Sequence, residues 1–77
     1  MISIEIQDSF FSGIKTVEMH YTINDAVTVV SGNNTGAVGS VISITEIEPE
    51  LKYLIETSAG KDIEVKQSNL QSLYNGI

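Results

Sequence analysis

Glu46, Glu48 and Glu50 recur at every second position of this 77-residue chain. On a strand, residues two apart project from one face, and a row of carboxylates is what a hard divalent cation takes. Pro49 interrupts the row. It cannot donate to a ladder, so the strand is expected to end there, and no Asp or Asn follows in the spacing of a calcium loop. Solvated edge charges that discourage strand pairing are therefore expected, with a protein-contacting acidic patch as the second reading. His20 is the one histidine. Without cysteine or a second histidine it cannot build a zinc site. With a serine and Asp8 or Asp25 it could nominally supply a triad, but no nucleophile-elbow pattern accompanies it. A surface or half-buried histidine is the expectation.

Two further sets of residues carry weaker signals. Between Gly32 and Gly39 a phosphate cradle is conceivable, yet a P-loop needs Gly-Lys-Ser/Thr opening a helix, and Gly39-Ser40 has no lysine and leads into a strand. Turn geometry explains Gly32, Gly36, Gly39 and Gly60 as structural residues. The aromatics are Phe10, Phe11, Tyr21, Tyr53 and Tyr74. Single-stranded nucleic acid is held on aromatics interleaved with basic residues, and here only Tyr53 has an adjacent lysine, Lys52. Core packing is the first expectation for them and protein contact the second.

The totals narrow the field. Ten acids against four lysines give a net charge of −6. Lys15, Lys52, Lys61 and Lys66 are spread along the chain, so the field as a whole disfavours a polyanion. With no cysteine, neither a disulfide framework nor a thiolate metal site is available. An apolar fraction of 42% suits one small folded domain. The opening alternation lacks a signal-peptide pattern and no apolar run is long enough to span a membrane. A cytoplasmic address is expected, with no membrane, no cofactor and no small-molecule substrate. Asn33-Asn34-Thr35 matches the glycosylation pattern, read as a loop coincidence.

These residues must be positioned by strands. Ile2, Ile4 and Ile6 alternate with polar residues, which predicts a strand. Residues 14–21 predict a second, with Val17, Met19 and Tyr21 on one face, so residues 1–21 are expected to form a β extension. Asn24 and Asp25 predict a turn. Strands are expected over residues 26–31 and 41–47, with a bulge or close backbone approach at Gly39. Residues 51–57 and 61–66 flank the Ser58-Ala59-Gly60 turn as the clearest hairpin. Gln67-Ser68-Asn69 reads as one helical turn before a last strand over residues 70–74. Short strands at regular spacing, with no amphipathic helix, predict an all-β fold.

The pattern Asp25-x-Val27-x-Val29-x-x-Gly32-x-x-x-Gly36-x-x-Gly39-x-Val41 resembles the KOW motif of some ribosomal proteins and NusG-type transcription factors. Tyr53, Gly60, the strand from Ile63 and Ser68-Asn69-Leu70 agree with it. The resemblance spans about residues 23–73 and implies a five-stranded SH3-like barrel. It also implies RNA or ribosome binding. The chain departs from the motif in having Asn24 before Asp25 and no basic residue among Asn33, Asn34 and Thr35, so the fold is carried over and the activity is not.

The resulting expectation is a small five-stranded SH3-like barrel over residues 22–77 with an N-terminal strand or hairpin extension, one compact domain overall. Its core is expected to be Ile4, Ile6, Val17, Val27, Val29, Val38, Val41, Ile44, Leu54, Ile63, Val65 and Leu70. Functionally it reads as a non-enzymatic module for a protein partner or self-association, with an RNA- or ribosome-associated KOW-type domain as the alternative. The candidate contact residues are Phe10, Phe11, Asn33, Asn34, Thr35, Tyr53 and Lys61.

Overall fold

The computed structural model describes residues 4–73. Its elements in chain order are α1 (Ile4–Ser12), β1 (Ala26–Val29), β2 (Val38–Glu46), β3 (Lys52–Thr57), β4 (Asp62–Lys66), a 3-10 turn (Gln67–Asn69) and β5 (Leu70–Ser72). The strands form one antiparallel sheet in the order β4-β3-β2-β1-β5. β4 and β5 are its two edges, yet only the three residues of the 3-10 turn separate them. In a flat sheet those edges would stand about 19 Å apart. The chain from Lys66 to Leu70 spans at most about 14 Å. The sheet must therefore curl, and the result is the SH3-like barrel that the strand spacing and the glycine pattern imply.

Two cross-strand rows build the core side of the sheet. Ile44 opposes Tyr53, which opposes Val65, and Val41 opposes Ile55, which opposes Ile63. Val27, Val29, Met19, Leu51 and Leu70 complete the buried cluster with Phe10. The expected phase of β3 is corrected here: Tyr53 and Ile55 point inward, while Leu54 pairs with Ser43 and Glu64 and is half-buried. Apolar residues occupy both faces of residues 53–55, so alternation alone could not choose. Val38 is likewise half-buried at the start of β2.

The N-terminal strands are also corrected. Residues 4–12 are helical, and residues 14–21 contain no strand. Alternating Ile residues favour a strand locally, but the helix places Ile6 and Phe10 four apart on one face, where both pack on the core. Its end is a Schellman cap. Gly13 has φ 76, its N–H donates to Phe10 O, and Ile14 N–H donates to Ser9 O. Ile4 and Val17, both expected in the core, are 78% and 87% exposed. Ile2 and Tyr74 lie outside the described residues.

The turn before β1 follows its sequence. Asn24 adopts φ 70, and Asp25 Oδ2 accepts from Thr22 N–H at 2.9 Å. Asp25 also pairs with Lys15 at 3.3 Å. This Asp thus closes the turn that starts the barrel. β2 ends at Glu46, ahead of the cis Glu48-Pro49 bond, so the glutamate row does not share one strand face. Glu46 pairs with Lys52 at 3.3 Å, and Glu50 accepts from Ser68 N–H at 2.7 Å. The hydrogen bonds from Ser68, with a smaller contribution from the Lys66 charge, hold the Glu50 carboxyl below its usual range.

Candidate functional site

The loop between β1 and β2 is held by its own backbone. Gly36 N–H donates to Val29 O at 2.8 Å, Ala37 N–H to Asn34 O at 3.0 Å, and Thr35 Oγ1 to Gly32 O at 2.7 Å. Gly32 carries φ 91, and a Cβ there would stand 3.0 Å from the Asn69 side-chain amide. Glycine is needed at that position for conformation and for space. Asn69 in turn accepts from Ser31 Oγ at 2.6 Å and, through its carbonyl, from Val30 N–H at 2.8 Å. The 3-10 turn thereby fixes the start of the loop.

This arrangement leaves Asn33 and Asn34 on a cleft of about 270 Å³ whose other walls come from β3, β4 and the 3-10 turn. Lys52 and Lys66, register partners on β3 and β4, line the same cleft, with Glu64 between them in sequence. A neighbouring hollow of about 280 Å³ joins Asn34 to Lys61 on the β3–β4 turn. Three of the four lysines therefore border two depressions that meet at Asn34. The lysines are dispersed in sequence; β3–β4 pairing sets Lys52 beside Lys66, while Lys61 stands at the turn end of the same hairpin. Lys61 and Lys66 are exposed and make no ion pair among the described residues, whereas Lys52 is held by Glu46.

The aromatic candidates divide. Phe10 is 1% exposed and stacks against Tyr53 with ring centroids 6.4 Å apart. Tyr53 is 0% exposed. Their expected contact role is corrected, because neither ring reaches the surface. Phe11 is 58% exposed and meets Phe10 edge-on at 5.0 Å, so it is the aromatic of the pair that a partner could touch. Asn33, Asn34, Thr35 and Lys61 are exposed as expected. His20 is exposed, and its Nε2 lies 3.0 Å from Val17 O. Among the described residues no group of three or more His, Cys, Asp or Glu is placed to hold a metal ion.

Gln67 is the residue that sequence reasoning missed. Its Oε1 accepts from Tyr53 Oη at 2.5 Å and from His20 N–H at 2.9 Å, and its Nε2 donates to Glu18 O at 2.8 Å. One amide thus ties the 18–20 segment to β3 and the 3-10 turn. Burial pushes the Tyr53 phenol up to about 12, and burial, assisted by the Asp25 charge, also raises Tyr21. Tyr21 Oη donates to Leu70 O at 3.1 Å. No local signal marks Gln67, since its partners are 14 to 49 positions away.

No described helix is long and apolar enough to cross a membrane. No family model matches the chain. Over 44 residues it is 43% identical to the large ribosomal subunit protein uL24 of Chlorobium chlorochromatii (strain CaD3), a match that covers 57% of this chain and 49% of that protein. The chain thus spans about half the length of the curated relative it matches. That similarity and the five-stranded antiparallel barrel agree with the KOW resemblance carried by Asp25, Gly32, Gly36 and Gly39.

Proposed function

We propose that this chain is a non-enzymatic KOW-type barrel that associates with ribosomal RNA through the rim around Asn34. The carrying observation is that Lys52 and Lys66 line one, and Lys61 the other, of the two depressions that Asn34 joins. The likeness to a ribosomal protein supports it. Net charge favoured a protein partner, but net charge averages over the surface, and an RNA backbone responds to the local field within about a Debye length. Lysines there neutralise phosphates, and the Asn33 and Asn34 amides can both donate and accept toward bases or sugars.

Two lysines without ion pairs among the described residues, Lys61 and Lys66, set a modest scale. With about 0.7 counterions released per neutralised phosphate on single strands, log K should fall with log salt at a slope of about −1.4. Filter binding of ribosomal RNA over a salt series tests this. Lys66→Ala and Lys61→Ala should each weaken binding and flatten the slope by somewhat under one unit, while Lys15→Ala, which removes a lysine engaged with Asp25, should change the slope little. Salt-independent binding, or equal loss with Lys15→Ala, would refute the assignment.

A further inference from the structure

A second surface shares no lining residue with the lysine rim. Between α1, the 16–20 segment and the β2–β3 connection lies a groove of about 650 Å³. Its apolar part is made by Ile6, Val17, Met19, Ile47 and Leu51. Met19 and Leu51 belong to the core, Ile6 and Ile47 are half-buried against it, and Val17 stands almost wholly in solvent. Apolar surface continuous with the core and left open in a concave site is the form of a docking groove.

The charge around it selects the occupant. Glu5, Glu18, Glu48 and Glu50 all line this groove, and no lysine is among its described lining residues. Glu5, Glu18 and Glu48 are exposed. The three exposed carboxylates around this apolar trough, with Glu50 held by Ser68 beside them, present one sign of charge to an incoming segment, which speeds and orients a cationic partner and repels an anionic one. We infer that this groove docks a lysine- or arginine-rich peptide segment of a partner protein, with an apolar side chain of that segment seated on Ile47 and Leu51 beside Val17. The apolar contact supplies most of the affinity and the glutamates supply selection, because charges on an exposed rim contribute little each.

The test uses the full chain and fluorescence anisotropy with a labelled oligolysine peptide that carries a central leucine. It should bind, more weakly as salt rises. The same peptide with glycine for leucine should bind about tenfold or more weakly, the factor for burying one aliphatic side chain. An oligoglutamate with the leucine should not bind measurably. The double variant Glu18→Lys, Glu48→Lys should lose at least tenfold in affinity, whereas Glu56→Lys, Asp62→Lys should lose no more than about twofold. The second pair makes the same change in net charge on exposed residues at the far end of the β3–β4 hairpin. On the unaltered protein, the leucine peptide should move the amide resonances of Val17, Met19 and Ile47. Equal loss in the two double variants, equal binding with and without leucine, or resonance shifts confined to the lysine rim would each overturn the inference. RNA binding at that rim is read separately, so either result stands without the other.

Discussion

Replacing Gln67 by Ala tests whether one amide holds the N-terminal segment to the barrel. The substitution removes three hydrogen bonds and leaves the backbone bond from Gln67 N–H to Leu51 O in place. The three losses are unequal. His20 N–H and Glu18 O are exposed and can turn to water, so each contributes about 0.5 kcal/mol or less. The Tyr53 hydroxyl sits on a fully buried residue, and an orphaned buried donor costs about 1–3 kcal/mol. Together they predict a loss of about 2–3 kcal/mol. A domain of this size has a total stability of about 4–12 kcal/mol, so about a sixth or more of it would go. Urea unfolding should show a lower midpoint at unchanged slope, and the melting temperature should fall by about 10–20 °C. Hydrogen exchange should quicken at the His20 amide. The decisive measurement is the cycle with Tyr53→Phe. Once the hydroxyl is gone, Gln67→Ala should cost about 1 kcal/mol less than in the parent. A loss under 0.5 kcal/mol for Gln67→Ala, or additive costs in the double variant, would refute the reasoning.

Three further outcomes follow from the same structure. Gly39→Ala should cost about 1–3 kcal/mol in urea unfolding, because a Cβ there would run into the Glu56 carbonyl and stand 2.8 Å from Thr57 Cα across the β2–β3 ladder; at Gly60, where φ is 81 and the space is open, alanine should cost only the strain of that conformation, about 1–2 kcal/mol. Alkaline pH should destabilise the domain through Tyr53, since burial favours its neutral form: the stability is complete below the unfolded pKa of 10.0 and is lost as pH rises from there through about 12. That shift amounts to about 2–3 kcal/mol, and Tyr53→Phe should flatten the fall of the urea midpoint over this window; an unchanged pH slope would count against it.

The barrel itself was legible in the chain. The β-branched runs at Val27 to Val29 and Val41 to Ile44, the turn at Asn24-Asp25, the hairpin around Gly60 and the helical turn at Gln67 to Asn69 each stand where local chemistry put them. Gly39 also behaves as read: the partner backbone approaches too closely for a side chain. The N-terminus was not legible by the same rules. Alternating Ile residues spoke for a strand, and only the burial of Phe10 against Tyr53 made a helix the better use of residues 4–12. Gly13 followed by Ile14 was the one local sign of a helix end.

The candidate site divides along the same line. Asn33, Asn34 and Thr35 were recognisable as an exposed loop, because glycine and asparagine stop strands by conformations confined to their own neighbourhood. That Lys52, Lys61 and Lys66 would border it, that Gln67 would bind Tyr53, and that Leu54 would yield the core to Tyr53 and Ile55 depended on strand register and on closing the sheet. Turns and strand propensity are settled among residues a few positions apart, and so the amino-acid sequence alone determined them. Which face is buried and which charges meet are settled by pairing across tens of residues, where competing alternations are equal until the whole core is packed, and only the tertiary structure decided those.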